Sequence, residues 1–234
     1  MDKFFLEVAQ GLHTGVESVH KFGAVPQLSI NTTGTIWDIN DTLYPWTAFA
    51  TPGVLTIPAV NASDNGDRVT VYGLDANYEM IDETFTLSSS ATVTGTKTFA
   101  RVYRAYYFDG ATNVGNINIQ RGGTTVARIT AGRAQTAMAI YTIPAGYTGY
   151  ITQGTASIKY GGDATIDMFI RYYGESSFRI GHSGEVAGTG MPYSYKFDAT
   201  TALTEKTDID VRAFCRSNNS RVTAAFDVIL FKNS

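Results

Sequence analysis

Apolar and polar residues alternate along much of the chain after residue 68. Residues 69–73 and 83–87 alternate on either side of a polar stretch, which predicts a β-hairpin with a loop of medium length. Residues 116–120 and 126–129 flank Gly122-Gly123 and predict a second, tighter hairpin. Further strands are predicted at 99–108, 138–143, 150–158, 165–173, 178–180, 193–197, 209–216 and 222–231. Roughly a dozen short strands at this spacing favour an all-β sandwich, jelly roll or barrel.

Three stretches carry more specific expectations. Residues 99–108 place large side chains on both faces of one strand, so both faces are expected to be covered by a second sheet, a loop or another subunit. Residues 208–212 alternate apolar with charged side chains, which predicts a sheet with one face in water. Residues 181–191 are rich in glycine and are predicted to form a mobile surface loop.

The N-terminal residues follow a different period. Apolar side chains recur there at spacings of three and four, at Phe4, Phe5, Val8, Leu12, Val16 and Val19. This spacing favours an amphipathic helix, whereas Gly11 and Gly15 each disfavour one by about 1 kcal/mol. An extended arm that is ordered by a neighbour is equally compatible. The domain prediction is an interface-forming N-terminal arm, helical or extended, over 1–27, and a β-sandwich or jelly-roll-like antiparallel domain over 28–234.

Composition narrows the class of protein. Only 17% of the 234 residues are charged, against about 25% in an average globular protein, while Tyr, Phe and Gly are frequent. This disfavours a helical bundle, a coiled coil and a disordered chain. A net charge of −3 gives no global electrostatic reason for nucleic-acid binding. No apolar run is long enough to span a bilayer, the first 23 residues do not fit a signal peptide, and one Cys forms no internal disulfide.

Candidate chemistry is sparse. His13 and His20 would share a helical face, but a metal site needs more ligands than two. The acidic stretch 75–83 could hold Ca²⁺, although a solvated loop that caps its own backbone is the favoured interpretation. Cys215 lies in register with apolar residues of a predicted strand and is expected to be buried rather than reactive. No nucleophile elbow is present, so we expect neither an enzyme nor a cofactor.

A run of arginines and tyrosines offers a further interface signal. Its members are Arg101, Arg104, Arg121, Arg128 and Arg133 with Tyr103, Tyr106 and Tyr107. Such interleaving occurs in platforms that bind nucleic acids, but the net negative charge disfavours that function. Arginine packed on tyrosine inside a subunit interface is the favoured alternative.

Several sequence stretches resemble a family of tailed-bacteriophage virion structural proteins found in marine and cyanobacterial phages. The stretches are 20–23, 36–38, 69–78, 83–87, 113–117 and 141–150. The resemblance covers roughly residues 1–155, and its motifs describe structure rather than catalysis. It implies a virion component on the capsid surface that acts as a decoration or cement protein. A tail adaptor, fibre or receptor-binding component is the alternative, and a polysaccharide-degrading enzyme is a third hypothesis.

The resemblance also implies partners and an interface. The expected partners are the major capsid protein and further copies of this chain, as a homotrimer, with no nucleic acid and no membrane. The arm would become ordered when it docks, and nearby aromatic residues would anchor it. The predicted interface residues are Phe4, Phe5, Val8, Leu12, Phe22, Trp37, Trp46, Arg104 and Tyr106.

Overall fold

The computed structural model describes residues 3–159, 161–188, 192–197, 201–217 and 219–233, and it confirms the all-β prediction. One helix, α1, spans Lys3–Ala9, and short 3₁₀ helices span Trp46–Phe49 and Ala62–Asp64. The strands are β1 Val16–Leu28, β2 Thr32–Thr35, β3 Gly53–Ile57, β4 Arg68–Leu74, β5 Met80–Thr86, β6 Val93–Phe99, β7 Arg101–Tyr107, β8 Ile117–Arg121, β9 Thr124–Ile129, β10 Ile140–Thr142, β11 Tyr147–Ile158, β12 Asp163–Arg171, β13 Arg179–Ala187, β14 Tyr193–Lys196, β15 Asp208–Cys215 and β16 Ser220–Lys232.

The first and the last strands of the chain together form a jelly roll. One sheet has the order β1-β16-β11-β14, and the other has the order β10-β15-β12-β13, with β2 added beside β15. When only these eight strands are numbered along the chain, the sheets have the orders 1-8-3-6 and 2-7-4-5. This is the two-sheet, eight-strand arrangement of a jelly roll. Apolar side chains from both sheets fill the space between them in one core cluster.

The strands between β2 and β10 form a second sandwich inserted into the first. Its sheets have the orders β6-β3-β8-β9 and β5-β4-β7, and they enclose a separate core cluster. Both predicted hairpins are confirmed here, because β4 pairs with β5 and β8 pairs with β9 in antiparallel register. The structure differs from the predicted single sandwich over 28–234, since the chain leaves the jelly roll after β2 and returns to it at β10.

The junction between the sandwiches is made by segments whose alternate side chains enter different cores. Ile36 and Ala139 belong to the jelly-roll core, whereas their neighbours Trp37 and Met138 belong to the inserted core. The close approach requires Gly23, because a Cβ at that position would lie 2.0 Å from the Ile36 carbonyl oxygen. Strand β7 contributes Val102 and Tyr107 to the inserted core, while its other face turns toward the jelly roll. That second face is only partly covered, because Tyr103, Arg104 and Tyr106 are half-buried.

The predicted N-terminal arm is only partly separate from the sheets. Helix α1 precedes the sheets, but the chain enters the jelly roll at Val16, and β1 then pairs with β16 as far as Leu28. The boundary at residue 27 therefore differs from the structure, because the apolar side chains of 16–28 serve a strand. Residues 1 and 2 of the predicted arm lie outside the described residues.

The predicted loop over 181–191 is wrong for residues 181–187, which belong to β13 and pair with β12. The glycines of this segment lie on β13, which is an edge strand of its sheet. Glycine can adopt the extended backbone of a strand, so a glycine-rich stretch need not be a loop. Gly184, for example, lies under the Tyr193 ring. A Cβ added at Gly184 would be 2.5 Å from the Cζ atom of that ring. Residues 189–191 of the predicted loop lie outside the described residues.

A buried ion cluster joins the two sandwiches. Asp208 on β15 is 2% exposed and accepts two hydrogen bonds from Arg101 of the inserted sandwich, at 2.8 and 3.0 Å. It also accepts hydrogen bonds from Arg171, at 2.6 Å, and from the Thr142 hydroxyl, at 2.6 Å. The prediction that 208–212 presents a charged face to water is therefore wrong, because this face lies against the inserted sandwich.

Trp46 completes the junction. Its indole Nε1 donates a hydrogen bond to Asp210, which is fully buried, at 3.0 Å. The guanidinium groups of Arg101 and Arg171 lie 5.6 and 5.5 Å from the Trp46 ring centre, within the range of cation–π attraction. The ring centre of Phe178 is 5.5 Å away. The cluster thus pairs each buried charge with either an opposite charge or an aromatic ring.

The pKa of Asp38 reports how well this carboxyl group is buried at the junction. Burial raises the pKa of Asp38 to about 6, although hydrogen bonds from the Ala137 N–H and the Thr130 hydroxyl and the charges of Arg133 and Arg128 oppose this shift. Between pH 4 and 6 the folded protein therefore retains a proton that the unfolded chain has lost. The free energy of unfolding falls as pH rises through this window.

Between pH 4 and pH 7 we expect the free energy of unfolding of wild type to fall by about 2 kcal/mol relative to that of Asp38→Asn. Urea unfolding of both proteins at several pH values measures this difference. A difference that stays constant across the window would show that Asp38 titrates at its ordinary pKa.

Candidate interaction surfaces

Helix α1 and the end of β16 form an exposed apolar surface, the arm patch, made of Phe4, Phe5, Leu6, Leu12 and Phe231. The rings of Phe4 and Phe231 stack with centres 6.4 Å apart. Leu12 is 66% exposed, Leu6 46% and Phe231 37%. Of the four predicted arm residues, Phe4 and Phe5 lie together, with ring centres 5.6 Å apart, and Leu12 is exposed just beyond the helix. The fourth, Val8, is buried beneath the helix.

A second surface, the aromatic groove, lies where β1 faces the inserted sandwich. It has a volume of about 570 Å³. Its lining residues are Ser18, Val19, His20, Phe22, Tyr72, Met80, Tyr103, Arg104, Tyr106 and Tyr141. The predicted interface residues Phe22, Arg104 and Tyr106 therefore meet in one place. The Arg104 guanidinium donates a hydrogen bond to the Tyr106 hydroxyl at 3.1 Å and lies 5.7 Å from its ring centre.

A lysine is buried beside this groove. Lys21 is 2% exposed, and its ammonium group donates a hydrogen bond to the Tyr103 carbonyl. Burial lowers the pKa of Lys21, and the positive charge of Arg104 lowers it further. Arg104 also donates a hydrogen bond to the His20 carbonyl, which satisfies part of the open edge of β1. Arg104 therefore lines the groove and also links β7 to β1.

Trp37 and Trp46 do not belong to either surface. Trp37 is 2% exposed and Trp46 is 8% exposed, and both lie in the core of the inserted sandwich. The Trp37 ring meets Tyr44 edge-on, and Tyr44 meets Trp46 in the same way. The prediction that these two residues anchor a partner is corrected by their burial, since a side chain that fills a core cannot also present its surface to another chain.

The structure also locates the candidates for chemistry. Asp75 accepts hydrogen bonds from the backbone N–H groups of Asn77 and Glu79 at 2.8 and 2.9 Å, so it caps the hairpin turn. Cys215 is buried on β15, as predicted. Across the described part of the chain, no three His, Cys, Asp or Glu side chains are grouped so that they could hold a metal ion. Within those same residues, no helix is both long and apolar enough to cross a membrane.

A basic surface was missed from the sequence. Two adjoining cavities of about 350 and 250 Å³ continue from the aromatic groove along β1, and we call them the basic trough. Both are lined by Ala24, Arg133 and Arg221. The two arginines come from positions 88 residues apart in sequence (133 and 221), so no local pattern could have paired them. Their proximity depends on how the inserted sandwich packs against β1.

Comparison with known proteins adds only a loose likeness. No protein-family model matches the chain, and no curated protein matches it. Among solved structures, infectious bursal disease virus Gx strain matches 94% of this chain and 76% of its own, with 9% identity and a TM-score of 0.26. The VP2 subviral particle of infectious bursal disease virus matches 99% and 78%, with 10% identity and a TM-score of 0.27. The cowpea mosaic virus top component matches 78% and 82%, with 6% identity and a TM-score of 0.21. At these TM-scores the likeness determines neither fold nor function.

Proposed function

We propose that this chain is a structural protein of a virus particle that binds the capsid shell as a decoration or cement protein. The observation that carries the proposal is the placement of two apolar surfaces beside β1, the first strand of a jelly roll. The arm patch adjoins β1 at Val16, and the aromatic groove begins at Ser18. Exposed apolar side chains that are grouped on a surface mark sites of protein association. Jelly rolls serve in viral capsids but also in lectins and cupins, so the fold alone does not choose among them.

A decoration protein would act by mass action. It binds the assembled shell and not the loose capsid subunits, and each occupied site therefore stabilises the assembled state. The arm patch suits this task because its leucines are exposed to water in the free protein. Docking would bury them, which is favourable for binding. The proposed partners are the major capsid protein and other copies of this chain in a homotrimer, located on the capsid surface. The tailed-phage origin rests on the sequence motifs, and we propose a structural rather than a catalytic role.

The alternative of a tail fibre or receptor-binding component loses part of its motivation. It depended on exposed Tyr and Trp residues beside a loop over 181–191. Both Trp residues are buried, and the described residues 181–187 form a strand rather than a loop, but Tyr173 is 63% exposed. The tail component therefore stays the alternative to the proposed capsid role.

Binding of labelled protein to purified phage shells tests the proposal. We expect Leu12→Ser to weaken shell binding by about tenfold or more, because docking would bury this leucine and each buried leucine contributes roughly 1.5–3 kcal/mol. Leu43→Ser is the matched control, because Leu43 is 48% exposed but lies outside both surfaces. Absence of wild-type binding would contradict the function, and equal loss in both variants would contradict the role of the arm patch.

A further inference from the structure

We infer that the basic trough receives the acidic hairpin of a second copy of this chain. The acidic hairpin is the β4–β5 turn with its exposed carboxylates, Glu79 and Asp82, together with the partly exposed Asp75. The inference concerns contacts between copies and does not depend on binding to a shell. Complementary charge is the observation that selects this occupant.

The solvent-exposed charged residues that line the trough are basic. Arg133 and Arg221 are exposed, and neither side chain has an ion-pair partner among the residues that the structure describes. Asp38 is the acidic residue of its lining, but this carboxylate is 5% exposed and turned inward to Thr130 and Ala137. Two like charges thus share one concave surface, which favours an anionic partner.

The acidic hairpin has the opposite character. Glu79 and Asp82 are exposed, and in the described part of the chain neither of them nor Asp75 forms an ion pair. The carboxylate of Asp75 holds the turn through its two backbone hydrogen bonds, so the loop is already ordered. A preorganised loop loses less conformational entropy on docking than a flexible one.

The two surfaces lie at different positions along β1, although the groove that Met80 lines and the first cavity of the trough share Phe22. Met80, next to the hairpin, lines the aromatic groove beside His20, whereas the second cavity of the trough reaches Pro26. Six residues of strand separate these positions, or roughly 20 Å. A contact between different surfaces of two copies is heterologous, and it generates a closed ring when its rotation closes. Such a ring would join copies head to tail along β1.

Charge reversal in the full-length chain tests this inference. We expect sedimentation velocity to show self-association of wild type that weakens as salt is raised from 0.05 to 0.5 M, because salt screens exposed charges. Arg133→Glu with Arg221→Glu should weaken association at least about tenfold, since like charges would then face each other. Glu79→Arg with Asp82→Arg should do the same. The chain that carries all four substitutions should associate as wild type does.

Arg179→Glu is a control for charge reversal elsewhere on the surface, because Arg179 is 73% exposed and lies outside the trough; it also breaks the ion pair of Arg179 with Glu175. It should leave association unchanged. A wild type that stays monomeric at low salt would overturn the inference, as would a four-fold variant that does not recover association. Shell binding is measured separately, so loss of one property would not be confused with loss of the other.

Discussion

Asp208→Ala is expected to lower the free energy of unfolding by about 3–5 kcal/mol, because it leaves two buried arginines without their counter-ion. Arg101 and Arg171 both bind this carboxylate, and their side chains are only 10% and 20% exposed. Arg101 belongs to the inserted sandwich and Asp208 to the jelly roll, so the substitution should also loosen the junction. Urea unfolding followed by circular dichroism measures the change.

Asp109→Ala provides the matched control for this prediction. Asp109 accepts two hydrogen bonds from the Arg68 side chain, at 3.0 and 2.9 Å, and a third from the Arg68 backbone N–H at 2.7 Å. Arg68 is 59% exposed, and exposed ion pairs contribute little to stability. We therefore expect a much smaller loss than for Asp208→Ala. Equal losses in the two variants would contradict the assignment of Asp208 as the centre of a buried junction.

Trp46→Ala is the second substitution with a large expected effect, a loss of about 3–5 kcal/mol. It removes a buried ring that contacts Tyr44 and Phe178 and two guanidinium groups. Trp46→Phe keeps an aromatic ring and loses the indole hydrogen bond to Asp210, while Arg212 still binds that carboxylate at 2.8 Å. The phenylalanine variant should therefore lose clearly less. Urea unfolding of the three proteins measures both differences.

The same variant separates two roles for Trp46. A core residue lowers the stability of the isolated chain when it is truncated, whereas a surface anchor lowers only association. Unchanged stability of Trp46→Ala together with weakened association would support the role expected from the sequence and contradict the burial described here.

Local pattern was sufficient for the two hairpins but not for β1, for most of β13 or for the pairing of distant strands. Alternation located β4, β5, β8 and β9, because a hairpin is decided by residues close in sequence. It could not reveal that 138–143 alternates between two cores, since every side chain in that segment is apolar or small and reads as one buried strand. The charged positions of 208–212 followed the correct period, but their burial depends on Arg101, 107 positions away from Asp208.

The interface residues show the same limit. The residue types of Phe22, Arg104 and Tyr106 predict an interface, and the fold brings them into one groove. The residue types of Trp37 and Trp46 predict the same, yet the fold places both in a core. Aromatic residues are favoured both in cores and in interfaces, so composition alone does not distinguish the two environments. Arg133 and Arg221 line the same trough only because the inserted sandwich packs against the jelly roll. The sequence alone therefore does not pair them.

Electron microscopy of the parent particle, with this chain labelled by an antibody fragment, tests the proposed function most directly. We predict a regular array of label over the capsid shell, with the same spacing on every head. Label confined to the tail, or absent from the particle, would contradict the proposal that this protein decorates the capsid.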